Sequence, residues 1–398
     1  MLEVVLHDRA AWREHLLPLV YTRPVSDLRV GILTLCEKWK LRLSKSISFY
    51  TSPYLQKKFP AAPFAHLYLV IRGNVLPSES LVRVMEEMPS QSVLLNNGQW
   101  IAYKVDHWTD EPDLSTLSPI IFTGEIARVC FLEDIYKLNA AELEADYSLL
   151  SKGRNSAVLD DSNRVLGDQI FVGTDVQSLC STFNAQSGPI YIGDGAIIEE
   201  GCFLRGPIAI CAGARVKMGS RLYPNVTIGP HATIAGEVNN SVLWGNCAKG
   251  HDGYLGCSVI GEGCNIGAGS SNSNLQNNWG NVSVYDYRNA SYRDTQAAKV
   301  GTFIGDYASC GINSSITTGN IIGVGAQVAM SNIIPKFVAD FCWMTDRKKE
   351  VYRWHKFERM LRDRSVIKKE HLADLDVQIL GEVYRQSELH RQKYLETE

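Results

Sequence analysis

Eight aliphatic residues recur at every sixth position: Ile192, Ile198, Leu204, Ile210, Val216, Leu222, Ile228 and Ile234. Four positions after each stands a mostly small residue, from Ala196 and Cys202 through Ala214 and Ser220 to Ala232 and Val238. The beat returns at Ile260 and Ile266, and again at Ile304, Cys310, Ile316, Ile322 and Val328. A helix repeats about every 3.6 residues and a strand every 2, so neither gives a period of six. A hexapeptide period marks a β-helix in which each hexapeptide forms one flat face of a coil. The aliphatic residue points into the prism and the small one fits the tight corner. The pattern predicts coils over 188–334, interrupted by one excursion over 271–300.

The first 150 residues carry a different pattern, that of an α/β domain. Short apolar runs predict strands at Glu3–Leu6, Ser46–Thr51 and Leu67–Arg72. Helices are expected over Asp27–Leu43, over Glu79–Met88 with Ser78 as N-cap, and over Leu132–Ser151. Asn97-Gly98, between two apolar runs, signals a type I′ hairpin. A Ser-, Asp-, Gly- and Asn-rich stretch over 151–187 reads as a bridge. A charged tail over 335–398 reads as helical from about Asp346.

The chain of 398 residues is 45% hydrophobic and 21% charged, with a net charge of −3. That balance gives no electrostatic case for nucleic acid or an anionic membrane. Met1–Asp8 lacks the layout of a signal peptide, and no apolar run approaches a membrane span, so a cytoplasmic protein is expected. The ten cysteines show no CxxC pair or zinc spacing and read as reduced packing residues. Only His231 and His251 lie in the repeat, which excludes a three-histidine zinc site within one chain.

One stretch of the repeat is not explained by packing. It runs from Lys249-Gly-His251 through Tyr254 and Asn265-Ile-Gly-Ala268-Gly to Asn274. It resembles the acetyltransferase domain of the bifunctional N-acetylglucosamine-1-phosphate uridylyltransferase/glucosamine-1-phosphate acetyltransferases, the GlmU type. That family carries H-x-x-Y-x-G, then N-I-G-A-G, then an asparagine nine residues after the first. The resemblance covers roughly 190–334 and implies a left-handed parallel β-helix. It makes His251 the catalytic base and Glu237 its acidic partner. It makes Arg221, Tyr254 and Asn265 substrate ligands, and Ala268 and Asn274 contacts of acetyl-CoA. A homotrimer follows from the same resemblance. The chemistry agrees: an amine must lose a proton before it attacks a thioester, and histidine is a base of suitable pKa. A carboxylate can fix the imidazole tautomer, amides can orient the reactants and stabilise an oxyanion, and an arginine fork can hold a phosphate. The family's two lysines are missing, the first replaced by Asn239. The excursion offers Arg288 or Arg293 instead as a phosphate contact.

Leu17-Pro-Leu-Val-Tyr-Thr22-Arg23-Pro24 through Gly31, with Ile71-Arg-Gly73-Asn74-Val-Leu-Pro77, resembles a divergent branch of sugar-nucleotide transferases. The resemblance implies a nucleotide site using Thr22, Arg23, Arg29, Lys38 and Asn74, with Mg²⁺ as a possible cofactor. The usual glycine-rich loop is absent, and Asn74 stands where an aspartate would meet the metal; an amide is a poor ligand for so hard a cation. The expected activity is therefore acetyl-CoA-dependent acetylation of an amino-sugar 1-phosphate, glucosamine-1-phosphate first, coupled to uridylyl transfer. The alternatives are a sugar-1-phosphate nucleotidyltransferase (glucose-1-phosphate with dTTP or UTP) on a trimerising β-helix, an acetyltransferase whose first domain has lost catalysis, and a non-catalytic scaffold.

Overall fold

In the computed structural model, which describes residues 2–110 and 112–396, the chain builds an α/β domain, a parallel β-helix and a helical tail. Strands β1 (Leu2–His7), β2 (Ile47–Tyr50), β3 (Leu67–Arg72), β4 (Ser92–Asn96), β5 (Gln99–Val105) and β6 (Ser118–Ile121) form one sheet, ordered β2-β1-β3-β5-β4-β6. β1 is parallel to both β2 and β3, and β4–β5 is the hairpin expected at Asn97-Gly98, both residues of which have positive φ. Helix α1 (Leu35–Leu43) is shorter than the sequence suggests. Gly31, at φ +82°, turns the chain first, and Thr34 and Glu37 then close a capping box. A Cβ at Gly31 would lie 2.8 Å from the Glu142 backbone, so the turn also needs glycine for space. Helix α2 (Glu79–Glu87) starts at the expected cap, Ser78, whose hydroxyl accepts from the Leu81 N–H. Helix α3 (Asp134–Ser151) closes the domain.

The β-helix has three flat faces of parallel strands: the first includes Arg221–Leu222, the second Val226–Ile228 and the third Thr233–Ile234. Ile190 pairs with Ile208 and Ile208 with Val226, so one coil takes eighteen residues, three hexapeptides. All eight aliphatics of the opening beat are buried at 2% exposure or less, which places the beat inside the prism. The coils begin earlier than expected, with strands at Arg164–Leu166, Ile170–Val172 and Gln177–Ser178 inside the supposed bridge. The inward slot there holds Ser178, in register with Ile198 and Val216, and a serine hides the beat. The coils also end later. Cys342–Thr345 adds a strand to the third face, and Lys349–Val351 folds back against it antiparallel, so the expected helix at Asp346 starts only at Trp354.

The tail helices α4 (Trp354–Lys368), α5 (Asp374–Gln386) and α6 (Glu388–Glu396) bury Phe357, Leu361, Ile379, Leu380 and Val383 in the core. The excursion carries an antiparallel hairpin, Ser283–Asp286 with Ser291–Asp294, which clips the coils to the first domain. Arg293 donates to both Glu133 carboxylate oxygens at 2.8 Å, and Asp286 meets His15 at 3.0 Å. From α3, Asn139 bonds Thr227 and the Asn225 carbonyl of the coils. Among the described residues no helix is long and apolar enough to cross a membrane.

Candidate functional site

The coil that carries His251 is irregular. Thr227 pairs with Val242 and Val242 with Val259, so successive coils there are fifteen and seventeen residues long. The next pairing, Val259 with Phe303, spans the whole excursion. At this break the inward slot above Ile234 is filled by Lys249 instead of an aliphatic residue. Lys249 is 1% exposed, and its Nζ donates to the carbonyl oxygens of His251 (2.7 Å) and Asp252 (3.3 Å). A cation inside the prism thus fastens the corner loop from beneath and leaves the His251 side chain exposed at the edge. Burial pushes the Lys249 ammonium down to about 8.

That shift has a measurable sign. The folded state gives up the Lys249 proton near pH 8 and the unfolded chain near 10.5, so between these values the unfolded state binds more protons. Stability is expected to rise with pH across this window, the cost of a buried cation being fully present below it. Lys249→Met should flatten that rise, as read by urea unfolding at pH 7 and pH 10; the same slope in both proteins would contradict it. The lost loop anchor is expected to lower acetyl transfer at least several-fold.

His251 lines a groove of about 410 Å³ on the third face together with Asn265, Ala268, Lys217 and Lys368. Through Ala248, Asn265 and Lys368 this groove continues beneath α4, past Tyr352, Lys356 and Arg359, into a second hollow of about 520 Å³. Around the corner, on the first face, Arg221, Glu237 and Tyr254 stand in register on three successive coils. A groove of about 870 Å³ there is lined by Tyr254, Asn272, Asn274, Ser315, Thr317 and Lys336. Asn274 Nδ2 donates to the Tyr254 hydroxyl at 3.1 Å, and burial raises the Tyr254 phenol pKa.

Two expectations change at this site. Glu237 lies 3.7 Å from Arg221, and among the described residues no hydrogen bond joins it to His251. Asn274 lies on the first-face groove with Tyr254, away from Ala268 and His251, which divides the two expected acetyl-CoA contacts between different faces. Neither arginine of the excursion lines the first-face groove. Arg293 is held by Glu133 and stacks 3.9 Å over Phe131, and Arg288 meets His15 at 3.3 Å. The cation that does stand in this groove is Lys336, held by Ser283 at 2.9 Å. It comes sixty-two residues after Asn274, beyond the reach of motif spacing.

The residues expected to hold a nucleotide do not converge. Arg23 donates to Asp306 of the coils at 2.6 Å and stacks on Trp244 at 4.5 Å, and Thr22 bonds the same Asp306 oxygen. Burial works against the Arg23 charge, but Asp306, Glu262 and Asp27 outweigh it and hold the pKa above its usual value. Both residues line a cavity of about 600 Å³ between the first domain, the coils and the tail, where Lys58 pairs with Asp376 and Arg364 with Glu370. Burial raises Asp27 there to about 6. Arg29 closes its own turn on the Ile32 carbonyl. Lys38, 1% exposed, lies between Asp146 (2.5 Å) and Glu142 (2.8 Å). Asn74 is buried; its amide nitrogen donates to the Val129 carbonyl at 3.2 Å, while its side-chain oxygen has no hydrogen-bond partner. Each of Thr22, Arg23, Arg29, Lys38 and Asn74 thus has at least one protein partner, though the Arg23 Nε and the Asn74 side-chain oxygen are buried without one.

The sugar nucleotidyl transferase family model matches residues 4–155. Over about half its length the chain is similar in sequence to the bifunctional GlmU proteins. It is 29% identical over 198 residues to the bifunctional protein GlmU of Acinetobacter baumannii (strain AYE), across 49% of this chain and 37% of that protein. It is 28% identical over 238 residues to that of Acinetobacter baylyi, across 54% of this chain and 48% of that protein. The chain therefore spans less than half the length of these curated relatives. Among solved structures, the UDP-N-acetylglucosamine acyltransferase of Francisella novicida overlaps 59% of this chain and 87% of that one, at 13% identity and a TM-score of 0.29. An overlap that shallow supports no argument about this chain.

Proposed function

We propose that the chain transfers the acetyl group of acetyl-CoA to the amine of an amino-sugar 1-phosphate, glucosamine-1-phosphate first, with His251 as general base. The observation that carries this reading is the position of His251, exposed on a prism edge between two grooves of different chemistry. The third-face groove and the hollow it continues into carry Lys217, Lys356, Arg359 and Lys368. It suits a thioester cosubstrate whose phosphates lie under α4 and whose acyl end reaches Ala268 and Asn265. The first-face groove is rich in amides and hydroxyls, with Lys336 and, beside it, Arg221, and suits a sugar phosphate. His251 takes the proton from the attacking amine. The nitrogen bonds to the thioester carbon, and the pair on the C–S bond leaves with sulfur as the coenzyme A thiolate. Donors near Asn265 oppose the charge on the tetrahedral oxygen. A homotrimer would set the first face of one copy against another and complete the acceptor groove.

Coupling to nucleotidyl transfer is the second arm of the proposal. The purified chain is supplied with glucosamine-1-phosphate, acetyl-CoA, UTP and Mg²⁺, and coenzyme A and pyrophosphate are followed separately. Release of both is expected from a bifunctional enzyme. Coenzyme A alone restricts the activity to acetyl transfer. Pyrophosphate alone, also tried with glucose-1-phosphate and dTTP, makes the β-helix a scaffold and overturns the first arm.

A further inference from the structure

Thr22, Arg23 and Lys38 are paired with protein carboxylates, and the topology of the first domain points to another place for anionic ligands. The chain leaves β1 for β2 on one side and crosses back to β3 on the other, so β1 and β3 flank the point where strand order reverses. In open α/β sheets, ligands bind outside the carboxyl ends of the strands at such a point. The last paired residues of β1 and β3 are His7 and Arg72.

Arg72 shares its surroundings with a second arginine. Both guanidiniums donate to one neutral acceptor, Gln99 Oε1, Arg72 at 3.5 Å and Arg128 at 2.6 Å. Arg128 also bonds the Asn96 side-chain oxygen at 3.0 Å. Among the described residues no carboxylate forms an ion pair with either one, and the Arg72 Nε is buried without a hydrogen-bond partner. Burial, and then the Arg128 charge, lowers the Arg72 pKa. Two half-buried like charges held together with no anion between them repel, and a phosphate whose oxygens accept from both forks would reverse that term.

The surroundings extend the site. The Arg72 guanidinium lies 5.1 Å from the Trp12 ring and 5.7 Å from Trp100, which fixes its plane. From Trp100 a row of rings continues to His7 (5.4 Å), Tyr50 (5.0 Å) and Trp108 (5.2 Å). Tyr50 and Trp108 then line a cleft of about 390 Å³. A cation pair joined by an aromatic row to a cleft matches a ligand with phosphates at one end and a flat ring at the other.

We infer that Arg72 and Arg128 form a phosphate clamp for a nucleoside phosphate whose base lies on the Tyr50–Trp108 ledge. The site extends the nucleotide reading of the first domain and is independent of acetyl transfer at His251. Its test is calorimetric titration of the full chain with UTP, pyrophosphate and uridine. UTP and pyrophosphate are expected to bind, and uridine far more weakly. Arg72→Ala and Arg128→Gln should each raise the UTP and pyrophosphate Kd tenfold or more. Trp108→Ala should weaken UTP and spare pyrophosphate. Arg128 is half-buried and its guanidinium hydrogen-bonds polar side chains, Gln99 and Asn96, so Arg128→Gln remains decisive if Arg72→Ala folds poorly. Absence of binding by both UTP and pyrophosphate at millimolar concentration overturns the inference, as does unchanged affinity in Arg128→Gln or uridine binding as well as UTP. Coenzyme A release by the same variants should match the parent, so loss of the clamp and loss of acetyl transfer are read separately.

Discussion

His251→Ala is expected to lower acetyl transfer by about 10²–10⁴-fold, the usual worth of a positioned general base, with the fold left intact. Its side chain is exposed at the prism edge, so removing it should change stability by no more than about 0.5 kcal/mol. The loop is fastened through the His251 main-chain carbonyl, which alanine keeps. The loss should fall mainly on kcat, because the grooves that hold the two substrates stay lined by Asn265, Ala268, Tyr254 and Asn274. Because Glu237 pairs with Arg221, Glu237→Gln should act through Arg221 and the acceptor, moving KM more than kcat. Initial rates over both substrates check this; full activity in His251→Ala would remove the base assignment.

The second large effect is on stability. Lys38→Met is expected to cost about 3–5 kcal/mol, the usual price of removing one member of a buried ion pair. It leaves Asp146, which also accepts from the Ile32 and Leu33 N–H groups, facing Glu142 without the cation between them. Burial already raises the Asp146 pKa, and losing Lys38 raises it further. A carboxyl with a raised folded pKa binds its proton more readily in the native state, so the deficit should shrink as pH falls. Urea unfolding at pH 7 and pH 5 measures both. A stable Lys38→Met protein that had lost nucleotide affinity would instead return Lys38 to a binding role.

Sequence period revealed the prism because one aliphatic residue per hexapeptide is a steric demand repeated on every face. It failed where that demand was met otherwise: by Ser178 in the first coil, by Lys249 in the irregular one, and by the strands that cap the far end. Lys249 was visible as a letter of the motif, but its role depends on pointing inward, which only register shows. His251, Asn265 and Ala268 do share one groove, and Tyr254 and Asn274 share another, so the motif's spacing carried real geometry. The first domain was less legible. Thr22-Arg23 reads as a phosphate loop in the linear chain, yet its partner Asp306 lies 283 residues from Arg23 and neutralises it across a domain interface. Arg72 directly precedes Gly73-Asn74, but its companion Arg128 reaches it only through Gln99 of the β4–β5 hairpin. Contacts of that kind leave no periodic signal.

The central claim is that the edge between the two grooves moves an acetyl group from sulfur to nitrogen. Labelled acetyl-CoA and glucosamine-1-phosphate, incubated with the full chain and separated by mass, test it most directly. The account predicts label in the amide of the sugar phosphate, one per coenzyme A released, and almost none with His251→Ala. Label found only as free acetate, or coenzyme A release that does not depend on the amino sugar, would contradict it.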